Sequence, residues 1–157
     1  MAKFKIDLEK FTREEVETLP FPVDSIIPQT KSMKMVDVLI RFEELIGECE
    51  ATIRFDNIFL DENGTLAEAA YLELMAQTIA ASIGYNALLN KIEIGEGFLL
   101  GAKKVKIFEK SKVGDKLRIK VFKDVQLGEF GIIQGTVFKS EKIVAQGELK
   151  VWAKNAG

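Results

Sequence analysis

Apolar and polar positions change their period twice along this chain. Over residues 66–89 the sequence LAEAAYLELMAQTIAASIGYNALL places apolar side chains on every side at helical spacing. That pattern predicts a helix buried all round rather than one lying on a surface. Residues 66–83 contain neither Gly nor Pro and are rich in Ala, Leu, Met and Glu, the strong helix formers. Asn63-Gly64 forms a turn pair ahead of it, and Thr65 with Glu68 three residues on predicts a capping box. The helix is expected to end near Asn90.

On either side the period is two. Residues 35–42 and 48–55 read as a pair of hairpin strands, and residues 98–108, 116–125, 130–138 and 143–152 as four more. In the segment 116–125, Leu117, Ile119 and Val121 face one way while Lys116, Arg118 and Lys120 face the other. The connections SKVGD, QLGE and KSEK are short and turn-like, which favours antiparallel neighbours. One long helix against about six antiparallel strands is an α+β layer arrangement. The large apolar residues Phe98, Phe108, Phe122, Phe130, Phe138 and Trp152 exceed what a single helix covers, which implies a homodimer.

Before this body lies an extension, residues 1–20, in which Thr12-Arg-Glu-Glu predicts a capped short helix ending before Pro20. The chain's 3 prolines, Pro20, Pro22 and Pro28, punctuate the loop that follows, where Asp24 or Ser25 can open a single turn. No repeat or linker divides the chain, so one domain spanning 1–157 is expected.

Composition then narrows the chemistry. At 157 residues with 47% hydrophobic and 29% charged content, the chain has the material for one soluble core. A formal net charge of −2 gives no footprint for nucleic acid or an anionic membrane. No apolar run reaches spanning length, and the first residues lack the apolar core of a secretory signal. A single cysteine, Cys49, excludes an internal disulfide and points to a cytoplasmic address. The most restrictive count is the absence of histidine. It removes Ser–His and Cys–His catalysis, imidazole bases and histidine metal sites together.

What chemistry remains centres on the helix. Between Ala69 and Ala81 its clearly polar side chains are Glu73, Gln77 and Thr78, with Glu73 and Gln77 four apart on one face. A carboxylate in a buried helix is costly to desolvate and asks for a function.

Three stretches resemble the hot-dog fold, in which a curled sheet wraps a central helix. Within it they are most similar to the 3-hydroxyacyl-[acyl carrier protein] dehydratases, including their relatives in aryl-polyene pathways. Ile27-Pro28-Gln29 with Met33, Met35, Val36 and Asp37 resembles that group's Leu-Pro-His…Met-Leu-Leu-Val-Asp segment. Phe59-Leu60-Asp61-Glu62-Asn63-Gly64 resembles its loop before the helix. Leu72-Glu73-Leu74-Met75-Ala76-Gln77 resembles its Ile-Glu-x-Met-Ala-Gln helix core, and Phe98-Leu99-Leu100-Gly101 extends the likeness. The similarity covers about residues 20–153.

The resemblance implies a thioester site at a dimer interface, between Glu73 of one subunit and Gln29 of the other. Glu73 falls on the family's catalytic carboxylate and Gln77 on the amide one turn below. The backbone N–H groups at Glu68 and Ala69 fall where the thioester carbonyl is polarised, and Met33 and Phe59 in the substrate-lining segments. The substrate would be a thioester of acyl carrier protein or coenzyme A in fatty-acid or polyketide-type metabolism, and no cofactor or metal is implied. The assembly would be a homodimer or a higher oligomer.

One position departs from the pattern: the family's histidine falls on Gln29. An amide has no titratable proton at working pH, so Gln29 cannot be the base that takes the C2 proton in dehydration. Three readings stay open. Glu73 carries all proton transfer in a dehydratase or hydratase. Alternatively Glu73, with Gln29 or Gln77 positioning water, serves a thioesterase. In the third, the chain is a non-catalytic acyl-binding or partner subunit.

The remaining polar features read more plainly. Gln77 is expected to orient Glu73 more than to react. Cys49, inside a strand, is expected to be a packed small side chain. Asp61-Glu62-Asn63 is expected to be turn chemistry, Gly95-x-Gly97 no phosphate loop, and Tyr71 and Tyr85 helix packing with polar tips. Lys103, Lys104 and Lys106 form either a solvated strand face or a docking patch for an acidic carrier or coenzyme A phosphates.

Overall fold

The segments of period two become strands and the stretch apolar all round becomes a helix, in a computed structural model that describes residues 4–154. A short helix α1 (Arg13–Glu17) precedes strand β1 (Phe21–Pro22) and two single 3-10 turns at Val23–Ser25 and Lys31–Met33. The hairpin β2 (Val38–Glu43) and β3 (Ile46–Thr52) leads to the long helix α2 (Ala69–Asn90), followed by β4 (Glu96–Ile107), β5 (Lys116–Leu127), β6 (Phe130–Lys139) and β7 (Lys142–Lys154). The strands form one 7-stranded sheet in the order β1-β2-β3-β5-β6-β7-β4. Every pairing in it is antiparallel.

The sheet curls around α2, which packs against β2, β3, β5 and β6. Alternate strand residues point inward, as the period requires. Leu117, Ile119 and Val121 of β5, Ile133 and Val137 of β6 and Leu149 of β7 are buried. On the opposite face of β5, Lys116 is exposed, and Arg118 and Lys120 are half-buried. α2 is enclosed almost all round; of its large apolar residues only Ile83 is exposed. The helix ends at Asn90 because Lys91 turns into the left-handed conformation (φ 51°) and donates its N–H to the Ala87 carbonyl.

The N-terminal helix forms as its cap predicts. The Thr12 hydroxyl accepts from Glu15 N–H, and the Glu15 carboxylate accepts from Thr12 N–H. This helix seals the far end of α2: the Tyr85 hydroxyl donates to the Val16 carbonyl at 2.6 Å, and Phe21 and Phe42 both pack on the Tyr85 ring. Burial and, secondarily, the nearby Glu17 charge raise the Tyr85 phenol above its ordinary value.

The central helix, by contrast, starts later than its sequence implies. Thr65 does not cap it; the N-cap is Glu68, with no side-chain hydrogen bond. Residues 65–67 are committed elsewhere. Thr65 bridges to Lys112, Leu66 N–H donates to the Ser111 carbonyl and Ala67 N–H to the Phe59 carbonyl. Tertiary pairing outweighs a local capping box. The sheet also gains a seventh, two-residue strand at its edge, β1, where Pro22 is tolerated at the rim.

A second departure concerns β4. Its residues oppose β7 with Lys103 against Glu148 and Lys106 against Gln146, three residues answering two. This is a bulge, with Lys104 left-handed at φ 55°. Simple alternation would put Lys104 and Lys106 on one face. Lys104 and Lys106 do share the outer face, beside Gln146 and Glu148; the bulge adds Lys103 to them, while Val105 and Ile107 turn toward α2. β4 is exposed along nearly all its length, with Phe98 stacked on Trp152 at 5.6 Å on the outer face.

Helix and loop approach most closely at Gly84, where an added Cβ would fall against the Ile26 carbonyl oxygen and Cβ. Because the obstacle is backbone, it cannot swing aside. Gly84→Ala is therefore expected to lower stability by about 1–3 kcal/mol, read as a lower urea midpoint with an unchanged slope.

Candidate functional site

Residues Ala69, Glu73 and Gln77 recur every four positions, so they line one face of α2 at steps of about 6 Å. Gln77 is fully buried, and its amide is engaged at both ends. The amide nitrogen donates to the Met33 carbonyl at 2.8 Å and to the Glu73 carboxylate at 2.8 Å. The amide oxygen accepts from Met35 N–H at 2.8 Å. With both its hydrogens committed, Gln77 holds Glu73 in place and ties the helix to residues 33–35.

That segment is held from its other side too. Arg54 donates to the Lys34 carbonyl at 2.7 Å and to Asp37 at 3.0 Å, and Asp37 also accepts from Thr52 N–H at 2.8 Å. Residues 33–37 are thereby fastened between α2 and β3. Arg54 was not singled out from sequence. Its only signal there was Asp37, which belongs to the family-like segment and needed a cationic partner.

Glu73 is half-buried, less enclosed than an all-round apolar helix implied. At the start of α2 the N–H groups of Glu68 and Ala69 have no acceptor among the described residues, whereas Ala70 and Tyr71 donate to the Ala67 and Glu68 carbonyls. Unpaired helix N-terminal donors favour a negatively polarised oxygen. Beside them lies a cleft of about 370 Å³ lined by Glu68, Ala69, Leu72, Val105 and Ile107. Of the other lining residues, Leu72 opens the family-like helix motif, whereas Val105 and Ile107 are brought beside it by the register of β4 against β7.

Met33 is exposed while its carbonyl anchors Gln77. Phe59 is half-buried against the core, its carbonyl accepting from Ala67. Gln29 lies between the two 3-10 turns, half-buried, with its amide oxygen buried and without a hydrogen-bond partner. This oxygen is the buried side-chain polar atom left without a partner among the described residues, and such a group costs about 1–3 kcal/mol. Within one copy no hydrogen bond joins Gln29 to Glu73 among the described residues.

Other polar groups are structural. Cys49 is buried, and desolvation pushes its thiol from 9.0 up to about 12 despite a hydrogen bond with Thr78. Asp61 closes its own turn, accepting from Asn63 and Thr65 N–H at 2.8 and 2.9 Å. Tyr71 is enclosed and its hydroxyl accepts from Ser111 N–H at 2.9 Å. The three lysines of β4 are exposed, and Lys104 pairs with the buried Glu148 at 3.4 Å.

Set beside known proteins, residues 21–156 match the family model described as ApeP-like, ApeP dehydratase. Among solved structures, the dehydratase heterocomplex ApeI:P from Xenorhabdus doucetiae matches with a TM-score of 0.77 and 25% identity, over 87% of this chain and 93% of that one. An uncharacterized protein, PH1136, from Pyrococcus horikoshii matches with a TM-score of 0.63 and 22% identity, over 85% and 95% of the two chains. A hypothetical thioesterase from Streptococcus pneumoniae, solved with coenzyme A, matches with a TM-score of 0.60 and 13% identity, over 74% and 84%. The last two share the fold, which is the hot-dog fold. A search of the curated proteins found no match. No helix among the described residues is long and apolar enough to cross a membrane.

Two outcomes follow from this geometry. Gln77→Leu strands the Met35 N–H and the Met33 carbonyl, and is expected to cost about 2–4 kcal/mol in urea unfolding. For Cys49 the folded thiol keeps its proton to about pH 12 while the unfolded one loses it near 9.0. The folded state is therefore favoured below pH 9 and loses that advantage as pH rises toward 12. Cys49→Ala should flatten this part of the stability profile, and native Cys49 should resist thiol reagents until the chain unfolds.

Proposed function

The chain belongs to the ApeP-like dehydratase family, and from that premise we propose that it is a 3-hydroxyacyl-thioester dehydratase in which Glu73 is the sole proton carrier. The observation that carries this reading is the Gln77 amide, anchored at Met33 and Met35 and donating to Glu73. A carboxylate fixed in this way can take the proton from C2. The resulting carboxylic acid can hand that proton to the oxygen leaving C3, so that water departs and the carboxylate is restored. The unpaired N–H groups of Glu68 and Ala69 polarise the thioester carbonyl and favour the enolate that forms on proton removal. Gln29 of the partner subunit, with its free amide oxygen, accepts a hydrogen bond from the 3-hydroxyl or from water and does not titrate. Met33 and Phe59 flank the acyl group.

The substrate is carried by acyl carrier protein or coenzyme A in the cytoplasm, and the subunits pair as a homodimer. The exposed length of β4 with Phe98 at 57% exposure supports such pairing. A second reading is favoured by the match to a dehydratase heterocomplex. In it this chain pairs with a different subunit of the same fold, which supplies the missing base. Loss of one positioned acid–base group lowers a rate by about 10²–10⁴-fold, so the chain alone turns over slowly.

The test is a mass-spectrometric assay of purified protein on 3-hydroxyacyl and saturated acyl thioesters, with Glu73→Gln alongside. The expected outcome is loss of water from the hydroxyacyl thioester, reduced by about 10²-fold or more in the variant. Free acid and thiol with the same Glu73 dependence would make the protein a thioesterase instead. Turnover that appears only when a histidine-bearing hot-dog partner is added would favour the mixed assembly.

A further inference from the structure

The cleft beside the first turn of α2 has an apolar wall that exists because of an irregularity in β4. Between Lys103, opposite Glu148, and Lys106, opposite Gln146, the strand carries one residue more than β7. Lys104 absorbs the surplus in the left-handed conformation, φ 55°. A non-glycine residue there is strained by about 1–2 kcal/mol, and bulges of this kind re-aim side chains near functional sites. Lys104 itself reaches outward to the buried Glu148 carboxylate at 3.4 Å, which fastens the bulge to the outer face. The consequence on the inner face is that Val105 joins Leu72 and Ile107 in lining the cleft.

These three wall residues are not equivalent. Leu72 and Ile107 also pack against the hydrophobic core, so their positions are set by the fold. Val105 remains 38% exposed and is not part of that cluster. Its Cγ2 methyl lies over Gly147 beside Leu72, and the side chain borders the cleft.

We propose that Val105, aimed by the Lys104 bulge, is the residue that sets how wide an acyl group the site accepts, selecting unbranched chains over branched ones. The inference rests on the acyl-thioester reading and adds the substrate class. A β-branched valine has one stiff rotamer range, so its two methyls form a fixed wall. A hydrophobic wall of this sort discriminates by about 10-fold or more for one misplaced methylene. Val105→Ala removes both methyls without removing any group of the β4–β7 backbone ladder.

The test is calorimetric binding of two pantetheine ketone analogues, in which CH2 replaces the thioester sulfur so that nothing can hydrolyse. One carries a linear butyryl group and the other a 3-methylbutyryl group. Wild type is expected to prefer the linear analogue by about 10-fold. Val105→Ala should bring the two affinities together, and Val105→Phe should weaken both by about 10-fold or more. Val105→Ile, the mildest change, should widen the gap, and thermal melts check that each variant is folded. If wild type binds both analogues and the ratio is unmoved in folded Val105→Ala and Val105→Ile, the inference is overturned while acyl binding stands. If wild type binds neither analogue and turns over no thioester, the acyl-thioester reading fails and the inference with it.

Discussion

One buried amide holds the functional half of this molecule together. Gln77 sits inside the central helix, where a polar side chain is tolerated only if its hydrogen-bonding groups are satisfied. Its partners come from two places that the chain separates by about forty residues: the Met33 carbonyl and Met35 N–H on one side, Glu73 on the other. The same amide therefore stitches the 33–35 segment to α2 and aims the carboxylate. Arg54, just beyond β3, and Asp37 brace that segment from its other side.

The chemistry available at this site is narrow because of what the chain lacks. Without histidine, the sole cysteine buried with its thiol pushed up to about 12, and Tyr71 and Tyr85 tied into packing, a carboxylate is what remains for the proton transfer we propose. Gln29 brings hydrogen bonding but no titration. An oriented Glu73 beside unpaired helix N–H groups is compatible with both elimination of water and hydrolysis of a thioester, since each needs a polarised carbonyl and one carboxyl group. Membership of a dehydratase family weighs toward the first.

The sheet contributes by being irregular. A regular β4 would alternate strictly, turning every inward residue beyond Lys103 outward. The extra residue at Lys104 preserves the inward set on both sides of the bulge and gives the cleft its apolar wall. On the outer face it also gives the buried Glu148 a cationic partner. Large apolar side chains remain on the surface of a single copy, among them Phe98 and Phe130, consistent with a fold that works with a second subunit against it.

Much of this was legible in the linear chain. The period-two strands, the helix apolar all round, the Thr12 capping box and the face shared by Glu73 and Gln77 are local patterns, and each survives folding because tertiary packing agrees with it. The motif around Glu73 and Gln77 likewise pointed to the family, since it lies within six consecutive residues. The start of α2 was not legible, because Thr65 and Leu66 are claimed by residues near Ser111 and Lys112, far away in sequence. Nor was the cleft that Val105 shares with the start of α2, which depends on register against β7, nor the bracing by Arg54. The sequence by itself determined the elements, the absence of an imidazole base and the carboxylate that remains. Long-range pairing decided which of those residues share a cleft, because register and backbone hydrogen bonds between distant segments carry no signature in local spacing.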